Sequence, residues 1–325
     1  MEQLLCSHSL LLQIEGPDLA HRKHALRRFF VQEDGKLRYS TSAVLVGLHA
    51  AAGLGIVLTA ATSIYPFLQP PNQAKRNPGK NGKPRQSGFI KLCPETHTFV
   101  RFEDPDQQSS WARCHFQGIT VPELAQKSLR RLFGSRYPAL SKFTQVGPSA
   151  IAVFFVSLTD LPRWIVSSVS AFDKAPSCSP LTTRLHNDED ELNSQVVERQ
   201  FSVKRGDAIW ISSSAYGMVC PKVLQNSVST GVVSNILPGL LLTDARCLAG
   251  AEGAPVFFNG QLVGMVLESP YKFLHTTYQS YVGESTTTTP SLPPGASFGL
   301  VLTFEGLKMG SLKFSMPLPA RNIIT

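Results

Sequence analysis

The sequence predicts an all-β protein, a barrel or a sandwich, and three observations predict it. Val, Ile and Thr recur in short runs, and the 24 Gly and 23 Pro among 325 residues punctuate them too often for long helices. With 42% hydrophobic and 17% charged residues, the chain can bury one large β core or two smaller ones. Asn259-Gly260, bracketed by Phe258 and Gln261, is a tight-turn signature that joins two strands as a hairpin.

Each element follows from local pattern. Residues 10 to 15 read as an opening strand: the amino-terminal stretch lacks a basic region and a clear small-residue cleavage site, so it reads better as a strand than as a signal peptide. Ala43 to Gly47 and Gly55 to Ala61 read as a hairpin pair across a Gly-containing turn. Residues 70 to 88 are polar, basic and rich in Pro, Gly and Asn, a solvated inserted loop. Thr120-Val121-Pro122-Glu123 has the form of a helix start with Thr120 as N-cap; Leu124, Leu129, Leu132 and Phe133 give that short helix an apolar face, and Gly134 ends it. Its plain reading is a surface helix packed across a gap between barrels. Ala150 to Leu158 is a buried strand, and 171–194 is a connecting loop carrying the acidic run Asp188-Glu189-Asp190-Glu191, which reads as hydrated rather than metal-binding. Short strands then follow at Ala208 to Ser212, Gln225 to Ser234, Gly239 to Thr243, Ala254 to Phe258 and Gln261 to Leu267. A Thr- and Pro-rich loop at 283–295 precedes two last strands, Phe298 to Phe304 and Ser311 to Met316.

Composition excludes several function classes. The net charge of +8 comes largely from two clusters, one around residues 21 to 28 and one around 75 to 85. Nucleic-acid binding requires aromatic interleaving or a reader module, and neither accompanies them. No apolar stretch approaches the length of a membrane span. Six scattered cysteines without a Cys-x-x-Cys pair read as buried free thiols, and the eight histidines show no paired metal-ligand spacing, so neither metal nor cofactor is expected.

The chemistry-bearing stretch is Thr243-Asp244-Ala245-Arg246-Cys247-Leu248-Ala249-Gly250-Ala251-Glu252-Gly253-Ala254-Pro255-Val256-Phe257. A serine peptidase needs a nucleophile, a base beside it, an acid that orients the base, and backbone amides facing the oxyanion. Gly250-Ala251-Glu252-Gly253-Ala254-Pro255 resembles the Gly-x-Ser-Gly-Gly-Pro loop of trypsin-like and HtrA/Deg-like proteins, with Glu252 at the position of the serine and Ala254 at the second glycine. Gly250, Gly253 and Ala254 are then the remnant oxyanion loop. Gly55-Ile56-Val57-Leu58-Thr59-Ala60-Ala61-Thr62 resembles the Val-Leu-Thr-Ala-Ala-His segment that delivers the histidine, with Thr62 in its place. The Asp-x-Ala strand start is matched most loosely, by Ser149-Ala150-Ile151-Ala152-Val153, which sets Ala150 at the acid. Cys247 lies on the strand side of the loop and reads as a packing thiol rather than a nucleophile.

Ser227-Val228-Ser229-Thr230-Gly231-Val232-Val233-Ser234 and Phe314-Ser315-Met316-Pro317-Leu318 resemble the corresponding strands of Deg barrels in order and spacing. Together with Arg22-Lys23-His24-Ala25, these motifs resemble the amino-terminal half of the Deg-type peroxisomal (glyoxysomal) processing protease family, closely from Gly206 to Leu267 and loosely before residue 200. The resemblance implies a degenerate trypsin-like (chymotrypsin/HtrA-type) double β-barrel with one short inserted helix, residues 1–325 forming a single unit. The first barrel would occupy 1–160, with the basic loop at 70–88, and the second barrel 195–325. It also implies a serine endopeptidase that removes targeting presequences in the peroxisome, this chain being its non-catalytic amino-terminal half with a regulatory or assembly role. Partners would be peroxisomal matrix-protein precursors or a catalytic protease domain, with self-association a further option. The alternative is a stand-alone pseudopeptidase that binds peptides or a partner protease. Ending at Thr325, the chain is expected to be a fragment, a shortened product or such a stand-alone form; no peroxisomal address is visible in it.

Overall fold

The computed structural model describes residues 7–17, 30–69, 91–103, 109–133, 149–174, 203–268 and 299–304. The basic clusters, the acidic run, the Thr-rich loop, Gly134, Cys6, Cys178 and the strand expected at Ser311 to Met316 lie outside these residues.

Seven strands make the first sheet: β1 (Ser9–Pro17), β2 (Phe30–Glu33), β3 (Lys36–His49), β4 (Leu54–Ala60), β5 (His97–Glu103), β6 (Ser109–Thr120) and β7 (Ile151–Ser157). Their order is β1-β5-β6-β7-β4-β3-β2, and β1 also pairs with β3, so six of them close a barrel and β2 extends β3 outside the ring. A second closed barrel runs β10-β13-β12-β11-β8-β9, built from β8 (Ala208–Ser213), β9 (Ser227–Leu237), β10 (Leu240–Thr243), β11 (Pro255–Phe258), β12 (Gln261–Glu268) and β13 (Gly299–Thr303). All pairings are antiparallel. Two six-stranded antiparallel barrels are the trypsin-like architecture that the motifs imply.

Side-chain alternation explains how the barrels are filled and how they meet. Along β7, Ala152, Phe154 and Val156 enter the first barrel's core with Leu10, Leu12, Tyr39 and Val57. Ile151, Val153 and Phe155 on the opposite face pack with Leu240, Phe257, Met265 and Leu302 of the second barrel. A strand buried on both faces must be apolar throughout, which is why Ile151 to Val156 forms an unbroken apolar run. The second barrel's interior is a separate cluster that includes Ile209, Ile211, Val233, Val256, Val266 and Val301. Between Phe258 and Gln261, Asn259 and Gly260 both take positive φ, 48° and 73°, as a two-residue type I′ hairpin requires.

The inserted helix, α1 (Glu123–Phe133), sends Ala125 and Leu129 into the inter-barrel cluster, and Ser128 Oγ donates to Pro238 O at 2.8 Å. It bridges the barrels, but Leu124 points outward at 38% exposure and Ala125 takes the buried position instead. Thr120 does not cap it: that residue ends β6, paired with Ile151, and the helix opens with Gln126 N donating to Pro122 O. A second helix, α2 (Arg163–Lys174), occupies residues without an expected element and takes 171–174 out of the connecting loop. Ile165 and Val169, one turn apart, bury against the first barrel's core. Its run of Ile, Val and Ser has weak helix propensity, so packing rather than propensity sets its conformation.

Candidate functional site

The loop that carries Glu252 is pressed against the first barrel and held there by backbone carbonyls. Gly250 O accepts from both Ser42 N and Ser42 Oγ, each at 2.8 Å. Glu252 O accepts from Thr41 Oγ1 at 2.9 Å and from Thr59 Oγ1 at 3.3 Å. Ser42, Thr41 and Thr59 are buried in β3 and β4, so the second barrel's loop rests on a row of hydroxyls supplied by the first.

Within the loop, Gly250 and Gly253 take φ of 98° and 91°, a region closed to most side chains. A Cβ on Gly253 would collide with Ser42 O and Thr59 Oγ1, so both its backbone angle and its neighbours demand glycine. Most of the amides turn inward on the protein itself: Ala251 N donates to Leu248 O, Gly253 N to Val266 O and Ala254 N to Ala251 O. Gly250 N differs, donating at 2.7 Å to Oε2 of the Glu252 side chain. That side chain is 3% exposed. A carboxylate accepting a buried amide makes a charge-assisted bond, stronger than a neutral one.

Thr62 sits in the short 3-10 turn Ala61–Ser63 that follows β4. Its Oγ1 is buried without a hydrogen-bond partner among the described residues. Ala150, fully buried, is brought beside it: Ala61 N donates to Ala150 O at 2.9 Å. Thr41 Oγ1 lies 3.3 Å from Ser63 Oγ and also bonds Glu252 O, so one hydroxyl links the turn holding Thr62 to the loop holding Glu252. The neighbours of Thr62 in its turn, Ala61 and Ser63, thus reach Ala150 and, through Thr41, the loop of Glu252. Ala254, whose carbonyl accepts from Val266 N at 2.9 Å, is fully buried at the end of the loop.

Thr41 and Ser42 had no motif to announce them, and Thr59 lies within the segment that ends at Thr62 but carried no role there. The signal that could have pointed to Thr41 and Ser42 is the triplet Ser40-Thr41-Ser42, three consecutive hydroxyl side chains directly before the apolar run Ala43 to Val46.

The buried thiols Cys247 and Cys114 are inert. Burial pushes the Cys247 thiol up to about 12, and the negative charge of Glu252 adds to that shift, so the thiol stays protonated at neutral pH. Burial likewise pushes Cys114 up to about 12. Cys114 and Cys247 are free and buried, whereas Cys220 is free and exposed. His8 is buried at the barrel junction, with Nδ1 2.6 Å from Leu45 O and its ring 6.3 Å from that of Phe257; burial lowers its pKa. Asp244 receives Val232 N–H at 2.6 Å, which ties the start of the loop to β9. Among the described residues, no group of His, Cys, Asp and Glu could hold a metal ion, and no helix is long and apolar enough to cross a membrane.

No protein-family model matches the sequence. A stretch of 69 residues is 44% identical to the peroxisomal leader peptide-processing protease of Homo sapiens, covering 20% of this chain and 12% of that protein. Over 68 residues the chain is also 44% identical to the peroxisomal leader peptide-processing protease of Mus musculus, with the same coverage of 20% and 12%. The similarity thus spans about an eighth of the length of these curated relatives. Among solved structures, the crystal structure of Deg5 aligns over 79% of this chain and 78% of its own, at 12% identity and a TM-score of 0.33. Part of this chain is homologous to peroxisomal leader peptide-processing proteases.

Proposed function

We propose that this chain is a non-catalytic trypsin-like module of a peroxisomal processing protease, with Thr62, Ala150 and Glu252 at the positions of a lost triad. The observation that carries this reading is the 2.7 Å bond from Gly250 N to Glu252 Oε2. An oxyanion-stabilising amide must be available to the charge that develops on a substrate carbonyl. Here that amide is engaged by a carboxylate of the same sign as the oxyanion, from the residue that would have to attack. On the other side of the junction, the hydroxyl of Thr62 has no basicity near neutral pH, and Ala150 offers no carboxylate to orient a base.

The division into a first barrel within 1–160 and a second within 195–325 belongs to the same proposal, as does a peroxisomal location. The role left to such a module is regulation or assembly, through contact with a catalytic protease domain or with matrix-protein precursors. The homology to proteases that process leader peptides supports this choice of partner class.

The test is cleavage. Purified chain incubated with a presequence peptide is expected to leave it intact, and Glu252→Ser alone is expected to restore nothing, because neither base nor acid returns with the hydroxyl. Cleavage by the unaltered chain that disappears in Glu252→Ala contradicts the proposal.

A further inference from the structure

The bond between Gly250 N–H and the Glu252 carboxylate has a chemical counterpart in hydrolysis. Once a peptidase has cut, the acyl product carries a new carboxylate, and one of its oxygens rests on the amides that held the oxyanion. Glu252 presents the same group to the same kind of donor from within the chain. Beyond Cβ, its side chain is one methylene and one carboxylate, the skeleton of acetate.

The frame around that amide is also held by groups other than the carboxylate. The carbonyls of Gly250 and Glu252 are fixed by Ser42, Thr41 and Thr59, and the amides of Ala251, Gly253 and Ala254 by backbone oxygens. Removing the acid therefore leaves the Gly250 N–H aimed at the space where the acid was. A loop held so firmly has little means of collapsing into it.

We propose that the 250–253 turn is a monocarboxylate-binding site kept occupied by its own Glu252 side chain, which takes acetate or formate from solution once that side chain is truncated. The inference rests on the non-catalytic reading of this turn. A failed rescue overturns the inference alone, whereas cleavage of a peptide by the unaltered chain overturns the reading beneath it.

The experiment compares thermal melting of the full chain, Glu252→Ala and Glu252→Gln in sodium acetate and in sodium chloride at equal ionic strength. Glu252→Ala is expected to melt about 4 °C or more below the unaltered protein, since a buried donor loses its charged acceptor. Acetate is expected to raise that melting temperature saturably, as ligand binding to the folded state requires, and chloride is expected not to. The unaltered protein and Glu252→Gln, whose amide oxygen still fills the site, are expected to show no acetate response. Equal responses of Glu252→Ala to the two salts, or an acetate shift shared by all three proteins, overturn the proposal. Should Glu252→Ala fail to fold unaided, recovery on refolding in acetate but not in chloride supports the proposal, and recovery in neither contradicts it.

Discussion

The two sides of the barrel junction differ in how their polar groups are satisfied. On the second barrel, the loop of Gly250 to Ala254 has its carbonyls bonded by hydroxyls and its odd amide bonded by an acid. On the first, the Thr62 hydroxyl is buried without a partner, and Ala150 contributes only its carbonyl. One side has its polar groups bonded to one another; the other keeps a buried hydroxyl that bonds none of them. Stability is therefore concentrated in the loop, and substitutions on the two sides are expected to differ sharply.

The largest effect is expected at Gly253. Gly253→Val imposes a side chain at φ 91° and drives it against Ser42 and Thr59. Backbone strain and overpacking together are expected to cost about 3 kcal/mol or more in urea unfolding. Next comes Glu252→Ala, which strips a buried amide of its charged acceptor for about 2 kcal/mol. A loss at Gly253 no greater than at an exposed strand position would break the comparison.

A pH effect sharpens it at the edge of the same junction. Burial holds the folded-state pKa of His8 below its ordinary value of 6.5, so below that pH the unfolded chain binds a proton that the folded chain does not. Stability is then complete above pH 6.5 and falls as the pH drops toward the folded pKa, with a limiting slope of about 1.4 kcal/mol per pH unit. His8→Gln is expected to flatten this decline as the pH falls below 6.5, measured by denaturant titration at each pH. Thr41→Val, which removes the hydroxyl joining the two sides, is expected to cost about 1 kcal/mol. The smallest effect is expected at Thr62→Val: the hydroxyl makes no bond, so its loss is expected to stay within about 0.5 kcal/mol of neutral or to stabilise the fold.

How much of this was legible in the sequence depended on whether the signal was local. The Asn259-Gly260 hairpin and the strands from Ala208 to Leu267 declared themselves through turn chemistry and short apolar runs, and the structure has them. β5 and β6 went unread for a physical reason. β5 does alternate, with Thr98, Val100 and Phe102 buried, but its outward positions include Phe99 beside His97 and Arg101. In β6 the buried residues Ala112 and Cys114 are small, while outward-facing Trp111 is 46% exposed, so size and burial run against each other. The helix α2 was hidden by its β-branched residues. At the junction, motif alone draws attention to Glu252, Gly250 and Thr62. The Thr41, Ser42 and Thr59 contacts could not, because they join residues about 200 positions apart.

The central claim is that the Glu252 carboxylate holds the Gly250 amide. The amide proton shift of Gly250 in ¹H–¹⁵N spectra measures this directly, because a short bond to a carboxylate moves an amide proton downfield. The account predicts a strongly downfield Gly250 proton that moves upfield in Glu252→Ala. A Gly250 resonance at an ordinary position that stays put when Glu252 is replaced would contradict it.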